Sequence, residues 1–230
     1  MKHLFLFTIL SISNIVIGQQ TCEMQFELIT AESGDSKADT IYIDLAQTSK
    51  KFALNFRLNT EIQERFVIDS VARKVVELTR EEDKKLAYLS DLEDSPDDEL
   101  YGYTTAYEIA TNDVLDPEEY RLISEKKTLF GWNCQKVEFL EEGSVIGTGW
   151  IALGLFIGIE KETGFFATDE GTIVEYSFVD KESGGFMTLK LLKSSKTIAN
   201  PAVAFSLEVP SGYELDTMDE DYYDDEEEGE

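Results

Sequence analysis

Lys51-Phe52-Ala53-Leu54-Asn55-Phe56-Arg57-Leu58 sets the fold class. Phe52, Leu54, Phe56 and Leu58 fall on every second position, with Lys51, Ala53, Asn55 and Arg57 between them. Side chains of an extended chain alternate between faces, so this period puts four apolar groups on one side of a half-buried strand. The same alternation returns in Val174, Tyr176 and Phe178, in Phe205, Leu207 and Val209, and in Val137 and Phe139 around Glu138. Further strand candidates are 24–30, 40–45, 64–68, 74–78, 86–91 and 186–192. Turn-forming residues separate them: Ser33-Gly34-Asp35, Glu142-Gly143-Ser144 and Lys181-Glu182-Ser183-Gly184-Gly185. Short turns at a spacing of roughly ten residues imply an antiparallel meander.

Helical signal is weak. Thr79 to Lys85 could open a helix, with Thr79 as cap and Glu82 at the capping-box position, or form a charged turn between two strands. The turn is the preferred reading. Pro96 to Glu119 reads as helix or loop, because Tyr103, Tyr107 and Ile109 are too sparse to set a period. The expected class is therefore mainly β: one curved antiparallel sheet with few helices.

The N-terminus reads as a cleavable export signal. Lys2 supplies the positive end, Leu4 to Ile17 the apolar stretch, and Val16-Ile17-Gly18 a small-residue cleavage site before Gln19. No later stretch is apolar enough over about 18 residues to span a membrane. The expected organisation is a leader over 1–18, a single β domain over 19–215 and an acidic tail over 216–230. Eleven of the last seventeen residues are Asp or Glu and none is Lys or Arg, so the tail is expected to be disordered. The whole chain carries a formal charge of −27. That field repels nucleic acid and anionic lipid headgroups, and neither is expected as a direct partner.

The one histidine, His3, lies in the leader. An exported chain without imidazole lacks the usual general base and every Ser-His or Cys-His pair. Two cysteines without histidine do not make a zinc site. Cys22 and Cys134 are an even pair in an oxidising compartment, open to a disulfide or to two buried thiols. Adjacent acids such as Asp97-Asp98, Glu118-Glu119 and Glu141-Glu142 arise by chance in so acidic a chain. A carboxylate hydrolase is thus only a remote reading, and no cofactor or metal is expected. Aromatic residues crowd the second half: Trp132, Trp150, Phe156, Phe165, Phe166, Tyr176, Phe178 and Phe186. They read as core, or as the wall of an apolar ligand cavity. The candidate ligand-binding set is Trp132, Trp150, Phe156, Tyr176 and Phe178.

The segment Lys127-Thr128-Leu129-Phe130-Gly131-Trp132-Asn133-Cys134-Gln135-Lys136 resembles an element of the GLPGLI group of small secreted bacterial proteins. Gly149-Trp150-Ile151, Lys84-Lys85-Leu86-Ala87-Tyr88 and the closing stretch from Phe205 to Tyr213 resemble other elements of that group. Trp132 stands where the group usually has tyrosine. The group is similar in architecture to LolA-like lipoprotein carriers. The resemblance implies a half-barrel sheet with a helix or loop plugging its concave side, and it carries over no catalytic residues. The expected function is that of an exported, non-catalytic binding protein of the bacterial cell envelope, periplasmic or secreted, holding a lipid or other apolar ligand. The alternative is an envelope protein that docks another protein through its open sheet.

Overall fold

The computed structural model describes residues 20–31, 38–81, 84–91, 115, 118–158, 166–179 and 184–216. The leader, most of the Pro96 to Glu119 stretch and the tail from residue 217 onward lie outside the described residues, as do the expectations for them.

The alternating segments form strands β1 (Cys22–Ala31), β2 (Asp39–Gln47), β3 (Lys51–Leu58), β4 (Glu61–Asp69), β5 (Lys74–Glu81) and β6 (Lys84–Asp91). The second series is β7 (Tyr120–Leu129), β8 (Trp132–Glu141), β9 (Ser144–Leu153), β10 (Ala167–Thr168), β11 (Gly171–Val179) and β12 (Phe186–Ser195). A four-residue helix, α1 (Pro201–Ala204), and β13 (Glu214–Asp216) follow. All strands belong to one sheet, ordered β13-β6-β5-β4-β3-β2-β1-β12-β11-β9-β8-β7, with β10 beside β11. Two antiparallel meanders thus stand side by side, joined where β12 pairs with β1. The first strand lies in the middle of the sheet and the last at one edge.

Glu81 pairs with Lys84, so the charged stretch after Thr79 is a hairpin turn and not a helix start. The β8–β9 turn is equally tight, with Glu141 opposite Ser144 and positive φ at Glu142 and Gly143. Such turns suit the right-handed twist of paired strands.

The main core gathers side chains from both meanders. Cys22, Met24, Phe26 and Leu28 of β1 meet Ile43, Leu45, Phe52, Leu54, Phe56 and Phe66, and also Trp132, Cys134, Ala152, Val174, Leu189 and Leu191. One open sheet can enclose so many groups in one cluster only by curving around them. Leu155 and Ile157, from the segment that follows β9, are buried in the same cluster and plug it. Buried Gln47 holds that plug: its Nε2 donates to the Phe156 carbonyl at 2.9 Å, and its Oε1 accepts from the Gly158 N–H at 2.9 Å.

One expectation is corrected. Phe205 to Val209 alternates like a strand but joins no ladder. It is an extended strap after α1. Phe205 packs with Ala46, Ala53 and Val67, and Leu207 and Val209 pack with Val76, Leu78 and Ala87. These contacts use the strand positions that alternate with the main core, so the strap covers the other face of β2–β6. Any extended chain lying on a surface shows period two, whether or not its backbone pairs. The strap then delivers Glu214-Leu215-Asp216, from the compositionally acidic end, into β13, which runs parallel to β6. The other ladders between named strands are antiparallel, as the expected class has it.

The Cys22–Cys134 disulfide is not formed. Both cysteines are free and buried, each packed in the main cluster as a small apolar side chain. Burial pushes the Cys22 thiol up to about 12, and the Cys134 Sγ–H donates to the Trp132 carbonyl at 3.6 Å.

Candidate functional site

The five aromatic residues singled out by the sequence do not share one wall. Trp132 opens β8 and is 5% exposed. Its Nε1–H donates to Ser194 Oγ at 2.9 Å, and Lys196 Nζ lies 4.9 Å from its ring centre. Trp150 is half-buried on the same side of the sheet, because Lys136 pairs with Trp150 and Cys134 with Ala152. Its ring carries Lys127 Nζ at 4.1 Å, and Lys127 is also ion-paired with Glu175. Each indole therefore has one of the chain's own cations on it. Phe156 is half-buried on the plug, between the inward-pointing Leu155 and Ile157.

Tyr176 and Phe178 lie on the opposite side of β11 from Glu175 and the Trp150 ring beside it. Tyr176 pairs with Gly149 and Phe178 with Gly147. The two rings are stacked, 6.4 Å apart and 3° from parallel, and Phe139 meets Tyr176 edge-on at 4.8 Å. The glycines make this possible. A Cβ at Gly149 would stand 2.3 Å from the Glu175 carbonyl oxygen and 3.0 Å from Phe139 Cε2. A Cβ at Gly147 would stand 2.8 Å from the Ser177 carbonyl oxygen and 3.2 Å from Tyr176 Cε2. Without side chains there, the rings lie down across β9.

Register extends this side in both directions. Phe178 is opposite Met187, Tyr176 is opposite Leu189, Leu189 is opposite Leu28, and Leu28 is opposite Ile41. On the far side Gly149 is opposite Val137, and Val137 is opposite Leu122. The result is an apolar strip across successive strands of the sheet. Leu28, Leu189 and Val137 are buried, whereas Ile41, Met187, Tyr176, Phe178 and Leu122 remain half-buried. Tyr176 touches both the main core and a second cluster of Tyr120, Val137, Phe139, Ile151 and Ile173. Partial burial pushes its hydroxyl above the usual tyrosine range.

Of the sequence-predicted set, Tyr176 and Phe178 belong to this strip, and Trp132, Trp150 and Phe156 do not. Ile41, Leu122 and Met187 were missed. The signal for them was cross-strand register, which a single strand's alternation does not contain. The main core is filled by its own side chains: Phe26, Phe52, Phe66, Met24, Leu155 and Ile157 are among those fully buried. Half-buried apolar area is found on the strip, whereas each indole carries a lysine of the chain itself.

The strip offers aromatic faces, a thioether and aliphatic groups, together with the Tyr176 hydroxyl. Nearby carboxylates are engaged in ion pairs: Glu175 with Lys127, Glu138 with Arg121 and Glu125 with Lys136. Among the described residues no group of three or more His, Cys, Asp or Glu side chains is placed to hold a metal ion. No helix among them is long and apolar enough to cross a membrane.

No family model and no curated protein matches the sequence. Solved structures resemble the fold at low identity. An uncharacterised conserved protein from Thermus thermophilus is 11% identical, with a TM-score of 0.42 over 85% of this chain and 90% of its own. A LolA superfamily protein from Nitrosomonas europaea is 11% identical, with a TM-score of 0.35 over 82% of this chain and 90% of its own. A DUF1329 family protein from Desulfovibrio piger is 13% identical, with a TM-score of 0.31 over 83% of this chain and 90% of its own.

Proposed function

We propose that this chain is an exported, non-catalytic binding protein of the bacterial cell envelope, which holds the hydrocarbon portion of a lipid-like ligand on the Tyr176–Phe178 strip. One observation carries this reading. Half-buried apolar side chains lie in register along one side of the curved sheet and run directly into its core. Partly exposed apolar area continuous with an interior is what a ligand with an alkyl chain would cover. Each buried methylene contributes about 0.8 kcal/mol, so eight give roughly 6 kcal/mol before association costs. The expected affinity is micromolar, with apolar contact as its main source.

A second reading has its own support. The main core is already plugged by Leu155 and Ile157. A filled interior leaves the strip as a shallow face, which suits another envelope protein as well as a lipid. The two readings part in one experiment. Protein recovered from the cell envelope is extracted with organic solvent, and the extract is read by mass spectrometry. A stoichiometric lipid supports the carrier reading. Ligand-free protein that also fails to take up an added fatty acid contradicts it and leaves the docking reading.

A further inference from the structure

We propose that one rim of the sheet is a docking edge for an anionic phospholipid surface, with Phe130 as its inserted side chain. Phe130 and Gly131 form the two-residue turn between β7 and β8, with Leu129 opposite Trp132. Both have positive φ, 48° and 83°. That turn geometry favours Asn, Asp or Gly, and a bulky L side chain in it is strained. The strain gives little packing in return, because Phe130 is 50% exposed. The equivalent position of the next hairpin, at the other end of the sheet, holds Glu142 with the same φ of 48°. An exposed aromatic at a strained tip is explained by contact outside the chain.

The surroundings say what that contact is. Trp132, two residues on, touches Ser194 and Lys196. Ser195 pairs with Glu23, which pairs with Ala46 near the end of β2. From there the rim passes to Lys50, whose carbonyl accepts from the Ser70 N–H and hydroxyl, and so to the β4–β5 turn. That turn exposes Val71, at 65%, beside Arg73. Two exposed apolar tips thus share a rim with the exposed cations Lys50, Arg73, Lys193 and Lys196. Among the described acids of this rim, Asp69 pairs with Lys51 at 2.5 Å, Asp91 pairs with Lys74, Glu23 accepts from the Ala199 N–H, and Asp169 in the β10–β11 turn is exposed.

The opposite ends of the same strands expose Asp39, Glu141 and Glu142, and also Lys84 and Glu61, the latter paired with Arg80 at 2.8 Å. Among the described residues the near rim thus exposes more cations, and at physiological salt, screening over about 8 Å lets it act separately from distant acids. Apolar tips ringed by Lys and Arg suit an interface rich in anionic headgroups. The molecule as a whole repels such lipids, whereas this rim presents Lys50, Lys193 and Lys196 to them.

The test uses the exported protein and sucrose-loaded vesicles of three parts phosphatidylethanolamine to one part phosphatidylglycerol, sedimented at low and at physiological salt. Wild type is expected to bind, and to bind phosphatidylcholine vesicles at least about tenfold more weakly. Phe130→Ser should lose about tenfold, and Lys196→Glu about fivefold, in line with the contribution of one cation near a charged surface. Phe130→Asn separates fold from contact: it relaxes the turn, so it should melt higher than wild type yet lose the same vesicle affinity. Ligand uptake on the Tyr176–Phe178 strip should be unchanged in all three variants, so failure here and failure of the carrier reading are distinguishable. Absence of vesicle binding, equal binding by Phe130→Ser, or retention of an acidic protein in place of vesicles would each overturn the proposal.

Discussion

Asp69 shows how a single buried charge is held. Burial alone would raise its carboxyl, but Lys51 and the backbone N–H groups of Val71 and Ala72 outweigh that and hold it below the usual aspartate range. A folded-state pKa below the unfolded value, about 4, contributes stability that is present above that value. The contribution fades as pH falls through the lower, folded pKa. Asp69→Asn should therefore lose about 1–3 kcal/mol near neutral pH and show a flatter acid limb when melting temperature is followed from about pH 6 to about pH 2. An acid limb identical to wild type would contradict this. The cysteines give a second residue-scale prediction. Denatured, unreduced protein should titrate as two thiols, and the native protein should alkylate slowly, since the thiolate at Cys22 is disfavoured by burial. Parity and compartment made a disulfide thinkable from sequence, but only neighbours decide it. In the fold both sulfur atoms sit among apolar side chains, where a thiol packs well.

At the scale of elements, alternation identified most of both meanders, and it failed in two instructive places. The strand β7 was nearly invisible because Arg121, Glu125 and Lys126 face solvent along it and leave few apolar positions. It ends the strand order, so it is flanked by one strand only and needs less apolar area. The strap at 205–209 alternates for the opposite reason: it has a face to bury and no ladder to join. Arg65 fastens it. One terminal nitrogen donates to the carbonyls of Val203, Ala204 and Ser206 at 3.1–3.2 Å. Arg65→Ala should cost about 1–3 kcal/mol and raise hydrogen exchange in β13 and the adjoining part of β6 above that in β1. Uniform exchange across the sheet would show that the strap does not protect this edge. Gly149 is a second test of element packing. With a Cβ placed 2.3 Å from a backbone oxygen, Gly149→Ala must push β9 and β11 apart. A loss of about 2–4 kcal/mol is expected by chemical denaturation, and a neutral result would mean the pairing across Gly149 is looser than described.

At the scale of the whole molecule, the alternation of many short strands reached the mainly β class and the single sheet, while its half-barrel curvature and the plug on its concave side were implied by the resemblance to the GLPGLI group. Of the proposed strip it reached two residues. Tyr176 and Phe178 could be placed on one side of a strand, but the partners that make them a surface, Ile41, Met187 and Leu122, come from three other strands whose register is set in three dimensions. The indoles lie off the proposed strip for a related reason. An aromatic residue looks alike in sequence whether it lines an opening or carries a lysine from its own chain, as Trp132 and Trp150 do. The acidic end adds charge without apolar area, so removing residues from 217 onward should move the melting temperature by no more than about a degree or two at moderate salt. A larger fall would assign the tail a packing role.

The central claim is that the strip through Tyr176 and Phe178 takes an alkyl chain. Its most direct test is titration of the exported protein with a fluorescent long-chain fatty acid, beside Phe178→Lys and Met187→Ser variants matched for melting behaviour. One-to-one binding in the micromolar range is expected, weakened about tenfold or more by either substitution. Absence of binding by well-folded wild type, or binding that both variants retain in full, would contradict it.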